Sequence, residues 1–272
     1  LLICGIVFTA ATAFAQAEQH GVQPASEPDL LPDMRQRAAA VSVTTLDGEP
    51  ATPQTLREEP LFRYSDPRRQ ILDATLWGWG SSGRPVALMK AEAYPDERNG
   101  TRWVYCLASL SDQLIQADWS DGVRFRASEP GLQMSPLPDG PAPADTSAGR
   151  RLQFKRLTGR FAATIINNVD NRDQMRLMPT PICRYEDGDA GLVDGAIFGY
   201  TMGTNPDVLL VIELRESDEG VAWQYGCAGM TSAGYSIRLD GKEVFAQEFD
   251  PRQSGAPQAY PRWMWRRGSA PQ

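Results

Sequence analysis

PLFRYSDPRRQILDATLWGWGSSGRPVALMKAE (60–92) and PICRYEDGDAGLVDGAIFGYTMGTNPDVLLVIE (181–213) align without a gap at an offset of 121 residues. Nine of the 33 positions are identical, among them Arg63/Arg184, Tyr64/Tyr185, Asp66/Asp187, Asp73/Asp194, Gly78/Gly199 and Glu92/Glu213. Self-similarity at a fixed offset is the sequence mark of one supersecondary unit used twice. In each copy an aromatic-rich run (Ala74–Trp79, Ala196–Thr201) leads through a Gly/Ser/Pro or Gly/Thr/Asn/Pro turn to a second apolar run (Val86–Ala93, Val208–Leu214). Runs of this kind bounded by turn residues read as strands. Trp103–Leu110 and Val221–Met230 supply a third strand, and Asp240-Gly241 is a type I′ hairpin signal. Each copy therefore reads as an antiparallel β meander.

Between the copies, RRLQFKRLTGRFAATIINN (150–168) places Leu157, Phe161 and Ile165 at i, i+4 and i+8, with Phe154 and Ala162 beside them. That is the stripe of an amphipathic helix. Its first half is basic through Arg150, Arg151, Lys155, Arg156 and Arg160. The charge reads as the solvated face of a core-packing helix, or as a surface for acidic partners or anionic envelope lipids. The expected fold class is α+β: two repeated antiparallel β meanders with a central amphipathic helix, pseudo-symmetric because neither copy could bury both of its faces alone.

Composition sets the layout around the copies. LLICGIVFTAATAFA (1–15) is an apolar run ending in Ala13-Phe14-Ala15, the pattern of a signal peptide cleaved after residue 15, or 17 at most. Residues 16–59 carry scattered prolines without a sustained period and read as a mostly irregular arm with one short helix around Met34–Val41. β repeat 1 (60–128) is followed by 129–149, which hold five prolines and read as an extended linker. The helix (150–168), β repeat 2 (169–249) and a tail (250–272) complete the chain. The expected location is exported, periplasmic or secreted.

Several chemistries are not expected. The 272 residues include one histidine, His20, which precedes both copies, so a Ser-His-Asp triad, a Cys-His dyad and a His-ligated metal all lack their parts. A net charge of −7 with scattered arginines does not make the basic stripe that nucleic acid requires. Cys106, Cys183 and Cys227 show no C-x-x-C spacing, which excludes a thiolate zinc cluster and leaves open one bridge with a free thiol or three reduced thiols. Neither phosphate-loop spacing occurs. Beyond the first fifteen residues nothing approaches the ~20 apolar residues of a membrane-crossing helix.

EPLFRYSDPRRQILDATLWGWGSSGRP, RRLQFKRLTGRFAA and DGAIFGYTMGTNPDVLLVIE are distinctive segments, with an R-Y-x-D lead and an aromatic strand preceding a turn that has the form G-T-x-P at Gly203, Thr204 and Pro206. With these motifs, residues 58–246 resemble a family of exported proteins of unknown function from planctomycete-type bacteria. The resemblance implies export and the two-part layout. It implies no activity, cofactor or site residue.

Two kinds of site residue stand out. Asp73 with Glu92, and Asp194 with Glu213, are matched carboxylate pairs, the equipment of a carbohydrate-active hydrolase if one acid is buried and protonated. Trp77 and Trp79, two apart on one strand, share a face on which a sugar ring would stack, and Trp263 and Trp265 in PRWMWRR (261–267) offer a second aromatic platform. The competing reading is structural. Asp73 and Asp194 cap turns, Glu92 and Glu213 close strands, Arg63/Arg184 pair with Asp66/Asp187, and Tyr64/Tyr185 pack inward with hydroxyls at the rim. NNVDNRD (167–173) lacks the glycine and terminal Glu of a calcium loop and reads as a helix-exit loop. A fold constraint acts on both copies, whereas catalysis needs one. The sequence therefore favours a non-catalytic binding or scaffolding module of the cell envelope, with an envelope polysaccharide or protein as partner; a hydrolase using Asp and Glu is the alternative. Neither reading calls for a metal or a cofactor.

Overall fold

Strands that are apolar on both faces need cover on each side, and the central strands of both copies are of this kind. The computed structural model describes residues 29–46, 51–96, 100–168, 171–218 and 220–248, with the backbone of 262–265. The expected signal peptide, His20 and most of the tail lie outside these residues. The chain begins with α1 (Leu31–Ala39), β1 (Val41–Thr45), β2 (Thr52–Gln54), β3 (Phe62–Asp66), β4 (Ile71–Trp79), β5 (Ala87–Asp96), β6 (Gly100–Ser109), β7 (Ile115–Trp119) and β8 (Arg124–Arg126). After the short β9 (Ser135–Pro136) come α2 (Ser147–Thr158), β10 (Phe161–Asn168), β11 (Asn171–Gln174), β12 (Arg176–Leu177), β13 (Cys183–Asp187) and β14 (Leu192–Thr201). They are followed by β15 (Val208–Ser217), β16 (Gly220–Gly229), β17 (Gly234–Leu239), β18 (Lys242–Gln247) and β19 (Arg262–Trp265).

The strands form four antiparallel sheets, ordered β2-β1-β7-β8, β19-β6-β5-β4-β3, β12-β14-β15-β16-β9 with β13 also on β14, and β11-β10-β17-β18. Successive side chains of a strand point to opposite faces. On β4, Trp77 and Trp79 face a core with Met34 of α1, Val43 and Ile115. Leu76 faces the other way, into a core with Ile197, Leu209 and Val211 of the second half. β14 does the same, with Phe198 and Tyr200 packed against α2, β10 and β17, and Ile197 inward. Two inner sheets thus lie face to face, and each is covered outside by a four-stranded sheet and one helix. Registers recur along the chain. Phe62 pairs with Leu76 and Cys183 with Ile197; Trp77 pairs with Met89 and Phe198 with Leu210, each 121 residues later.

Strands account for 54% of the residues, and two α-helices occur among the described ones, so the fold is mainly β and the α+β expectation is corrected. The hairpin at 240–241 forms as its sequence demands: Asp240 and Gly241 both have positive φ, and Leu239 pairs with Lys242.

Three boundaries differ from expectation. The helix expected over 150–168 ends at Thr158, and 161–168 is strand. Phe161 and Ile165 are four apart, a spacing that keeps both side chains on one face in a helix and in a strand alike. The buried Ala163 between them decides for period two. In consequence 167–168 and 171–173 are strand, in the antiparallel β10/β11 pair, rather than a helix exit. The arm expected to be mostly irregular, with a short helix around 34–41, contains α1 over Leu31–Ala39 and also β1 and β2, because Met34, Ala38, Val41 and Val43 cover the outer face of β4 and β5.

The linker expected at 129–149 is docked. Leu132 enters the inner core and Leu137 the outer one, and the backbone N–H groups of Gly131 and Leu132 donate to Ser111 O at 3.0 and 3.1 Å. β9 pairs with the otherwise open edge of β16, so edge hydrogen bonds and two leucines supply what composition alone did not. Gly131 lies so close to β6 that an added Cβ would meet the Ser109 backbone and Cβ. Backbone cannot yield as a flexible side chain does, so Gly131→Ala is expected to cost about 2–3 kcal/mol in urea unfolding. A loss below about 0.5 kcal/mol, the range of ordinary surface changes, would show the linker to be undocked.

Candidate functional site

Ladder register decides the fate of the carboxylates. Asp73 pairs with Ala93 and Glu92 with Ala74, so the two side chains leave opposite faces of one sheet. Asp194 pairs with Leu214 and Glu213 with Gly195, and the same separation follows. Neither expected acid pair can flank one glycosidic bond, as hydrolysis by two carboxylates requires.

Each carboxylate instead anchors the fold. On the helix-facing side Arg63 donates to Asp73 through Nε at 3.0 Å and Nη2 at 2.6 Å, and reaches Asp29 ahead of α1 at 2.8 Å. Arg184 donates to Asp194 through Nε at 2.7 Å, and Arg150 of α2 joins it at 2.6 Å, which fastens that helix to β14. The expected Arg63–Asp66 and Arg184–Asp187 pairs do not form, because residues three apart on a strand face opposite ways. Asp66 accepts from the Thr204 backbone N–H at 3.4 Å, and Asp187 from Ser82 Oγ at 2.9 Å.

On the inward side, Glu92 accepts hydrogen bonds from Tyr64 at 2.8 Å, Tyr94 at 2.9 Å and Asn205 Nδ2 at 3.0 Å. Glu213 accepts from Tyr185 at 3.0 Å, Arg84 Nη1 at 2.8 Å and Arg215 Nε at 2.6 Å. Asn205 belongs to the β14–β15 turn and Arg84 to the β4–β5 turn, so each half supplies the donor that completes the other half's Tyr–Glu pair. Arg69 clamps Asp207 across the same seam with two 2.7 Å bonds, and the buried Lys90 donates to Met230 O at 2.9 Å. The tyrosine hydroxyls therefore sit deep in the seam rather than at a rim. Burial, with the neighbouring glutamate, pushes both Tyr64 and Tyr185 well above the usual tyrosine range and keeps them as donors. Sequence reasoning missed Arg84 and Asn205 because the two positions, 121 apart, carry unlike residues. The identical Tyr and Glu in both copies were the available signal.

The aromatic candidates divide. Trp77 and Trp79 are fully buried, and Trp77 Nε1 donates to Thr75 Oγ1 at 2.8 Å, so the sugar-stacking role expected for them is corrected: they are core. β19 runs along β6, with Trp263 opposite Tyr105 and Trp265 opposite Trp103 in the ladder. Cys183 and Cys227 are free thiols, and burial pushes both up to about 12.

The site with room for a ligand lies elsewhere. A pocket of about 700 Å³ opens between α2 and β14, with Phe154, Met178, Pro181, Ala196 and Phe198 forming its apolar wall and Arg151 and Lys155 among its cationic residues. The first half closes the corresponding place. β1 and β10 match at an offset of 120 (Val41 pairs with Trp119, Phe161 with Leu239), which sets Arg35 against Lys155. The Arg35 guanidinium lies over the Trp77 ring, 5.5 Å from its centroid, and pairs with Glu59 at 2.7 Å. In the second half Phe198 stands for Trp77 and Thr180 for Glu59. Arg151 and Lys155 make no ion pair among the described residues.

Among the described residues no group of three or more His, Cys, Asp and Glu is placed to hold a metal, and no helix is long and apolar enough to cross a membrane. The chain matches no family model, no curated protein and no solved structure. Function is therefore argued from its own geometry.

Two predictions follow from the anchors. Arg84→Ala leaves the fully buried Glu213 with one guanidinium fewer and is expected to cost about 3 kcal/mol in urea unfolding, whereas Arg124→Ala, which breaks an exposed pair with Asp118, costs under about 1 kcal/mol. Equal losses would deny the seam its role. The Cys227 thiol keeps its proton to about pH 12 when folded and ionises near 9.0 when unfolded, so the folded state binds more protons in that window and stability falls as pH rises through it. Between pH 8 and 10 this group alone removes about 1 kcal/mol, a slope that Cys227→Ala should lose when urea midpoints are compared.

Proposed function

We propose that the protein is an exported, non-catalytic binding module of the cell envelope, formed by duplication of one helix-covered β unit into two pseudo-symmetric halves, and that it binds through the pocket beside α2. The observation that carries this reading is the contrast between the halves. One place in the architecture is sealed by Trp77, Arg35 and Glu59, while its counterpart is an open apolar pocket flanked by cations that make no ion pair among the described residues. A concave, mostly apolar pocket with a few polar groups at its edge is the usual form of a small-molecule site. The carboxylates argue against the hydrolase alternative, since each is consumed in holding a helix or the seam. The apolar leader at 1–15 and the resemblance of 58–246 to an exported family support the envelope location.

The neutral dye N-phenyl-1-naphthylamine, which brightens in apolar surroundings, tests the reading on the full chain. Saturable binding is expected with the native protein. It should be lost in Phe198→Trp, which rebuilds the indole of the first half inside the pocket, and reduced in Ala196→Leu. No binding by the native chain, or binding untouched in both variants, would overturn the proposal.

A further inference from the structure

We infer that the pocket beside α2 takes a long-chain carboxylate, a single-chain fatty-acid-like anion whose acid group is held by Arg151 and Lys155 and whose chain lies along Phe154, Ala196 and Phe198. The inference rests on the binding reading above and adds the chemistry of the ligand.

Three observations select that chemistry. The wall offers carbon: Phe154, Met178, Pro181, Ala196 and Phe198 present no side-chain hydrogen-bonding groups to a guest. A sugar or peptide would leave its polar groups without partners there, whereas an alkyl chain loses nothing. The cations are positioned as a pair. Arg151 and Lys155 are four apart on one helix and therefore on one face, and both line the pocket. Arg184 also lines it, but its guanidinium is already committed to Asp194. Two uncompensated cations beside an apolar groove fit a ligand that is apolar along its length and anionic at one end. A guanidinium in particular meets the two oxygens of a carboxylate with two parallel N–H groups.

The chain also contains its own precedent. In the first half the helix cation at this place, Arg35, is paired with a carboxylate, that of Glu59, above an apolar filler, the Trp77 ring. The second half lacks both: Thr180 replaces the acid and Phe198 the indole. A fatty-acid-like ligand restores both at once. Its acid group takes the place of Glu59, and its chain enters the pocket of about 700 Å³ beside Phe198.

The test is competition on the full chain, with N-phenyl-1-naphthylamine as reporter and palmitate or its methyl ester as competitor at matched concentration below micelle formation. Palmitate is expected to displace the dye at a concentration at least tenfold lower than the ester, and the preference should shrink as salt rises. In the double variant Arg151→Gln, Lys155→Gln the preference should fall to less than threefold. Arg156→Gln, on an exposed residue that does not line the pocket, should retain it. Equal displacement by acid and ester, or a preference that survives loss of both cations, would overturn the inference while leaving the pocket a binding site for apolar ligands. A native chain that binds neither dye nor palmitate removes the broader reading as well. If the double variant does not fold, the acid–ester comparison on the native chain still decides.

Discussion

Two glutamates buried between the inner sheets govern the rest of the structure. A buried carboxylate must be surrounded by donors, or the cost of taking it from water is not offset. Glu92 and Glu213 find only part of that shell in their own half, namely Tyr64 and Tyr94 for one and Tyr185 and Arg215 for the other. Asn205 and Arg84 complete it from the opposite half. The apolar surroundings obey the same logic, since Leu76 and Leu88 of one inner sheet are covered by Ile197, Leu209 and Val211 of the other. Neither half is a finished object. Separated, each would expose an apolar sheet face with a half-solvated acid at its centre.

That constraint explains why the acids come in matched pairs without forming a site. An antiparallel ladder sends adjacent registers to opposite faces, so one carboxylate of each pair serves the helix side and the other the seam. Asp194 holds Arg150 of α2, and Asp73 holds Arg63, which reaches Asp29 just ahead of α1. The abundance of arginine has a local use here. Its planar fork satisfies two carboxylate oxygens together, as Arg69 does for Asp207. Lysine, a compact point charge, appears at the seam once, as Lys90 capping a carbonyl.

Much of this was legible in the sequence, and the remainder was hidden for physical reasons. The inner strands and the Asp240-Gly241 turn could be read because continuous apolar runs bounded by turn residues, and turn chemistry itself, are local properties. Phe161 and Ile165 misled because a four-residue spacing satisfies helix and strand equally. Helix α1 was legible only as a short helix around 34–41 and not in its Leu31–Ala39 bounds, because its nine residues bury only Met34 and Ala38, too few for a periodic signal that fixes the ends. The 129–149 segment looked unstructured because its order comes from the edge of a strand about ninety positions away, at Trp223 to Tyr225. Among site residues, Tyr64, Tyr185, Glu92 and Glu213 were visible as identities. Their partners Arg84 and Asn205 were not, since a comparison of copies rewards sameness and these two solve one problem with different side chains. The pocket was invisible for a further reason: it is an unfilled space between α2 and β14, and no residue pattern marks a space.

The same constraint also places the freedom of the molecule. An enlarged gap between the inner sheets would disturb both halves, because each completes the other there. The outer faces carry no such mutual demand; each is covered by its own helix and sheet, so a smaller side chain on one side leaves the other half intact. Helix α2 can stand beside an open pocket because its start is secured independently. Thr146 caps it by accepting from Gly149 N–H at 3.1 Å, Arg150 ties it to Asp194, and Gln153 bonds to the docked linker at Ala142 O and Ala144 N–H. With those fastenings the helix does not collapse into the space beside Phe198, and Arg151 and Lys155 are held over it without an ion-pair partner among the described residues. A rigid frame built by two interdependent halves thus leaves one outer face able to hold a ligand, and that face is the one whose cations lack their acid.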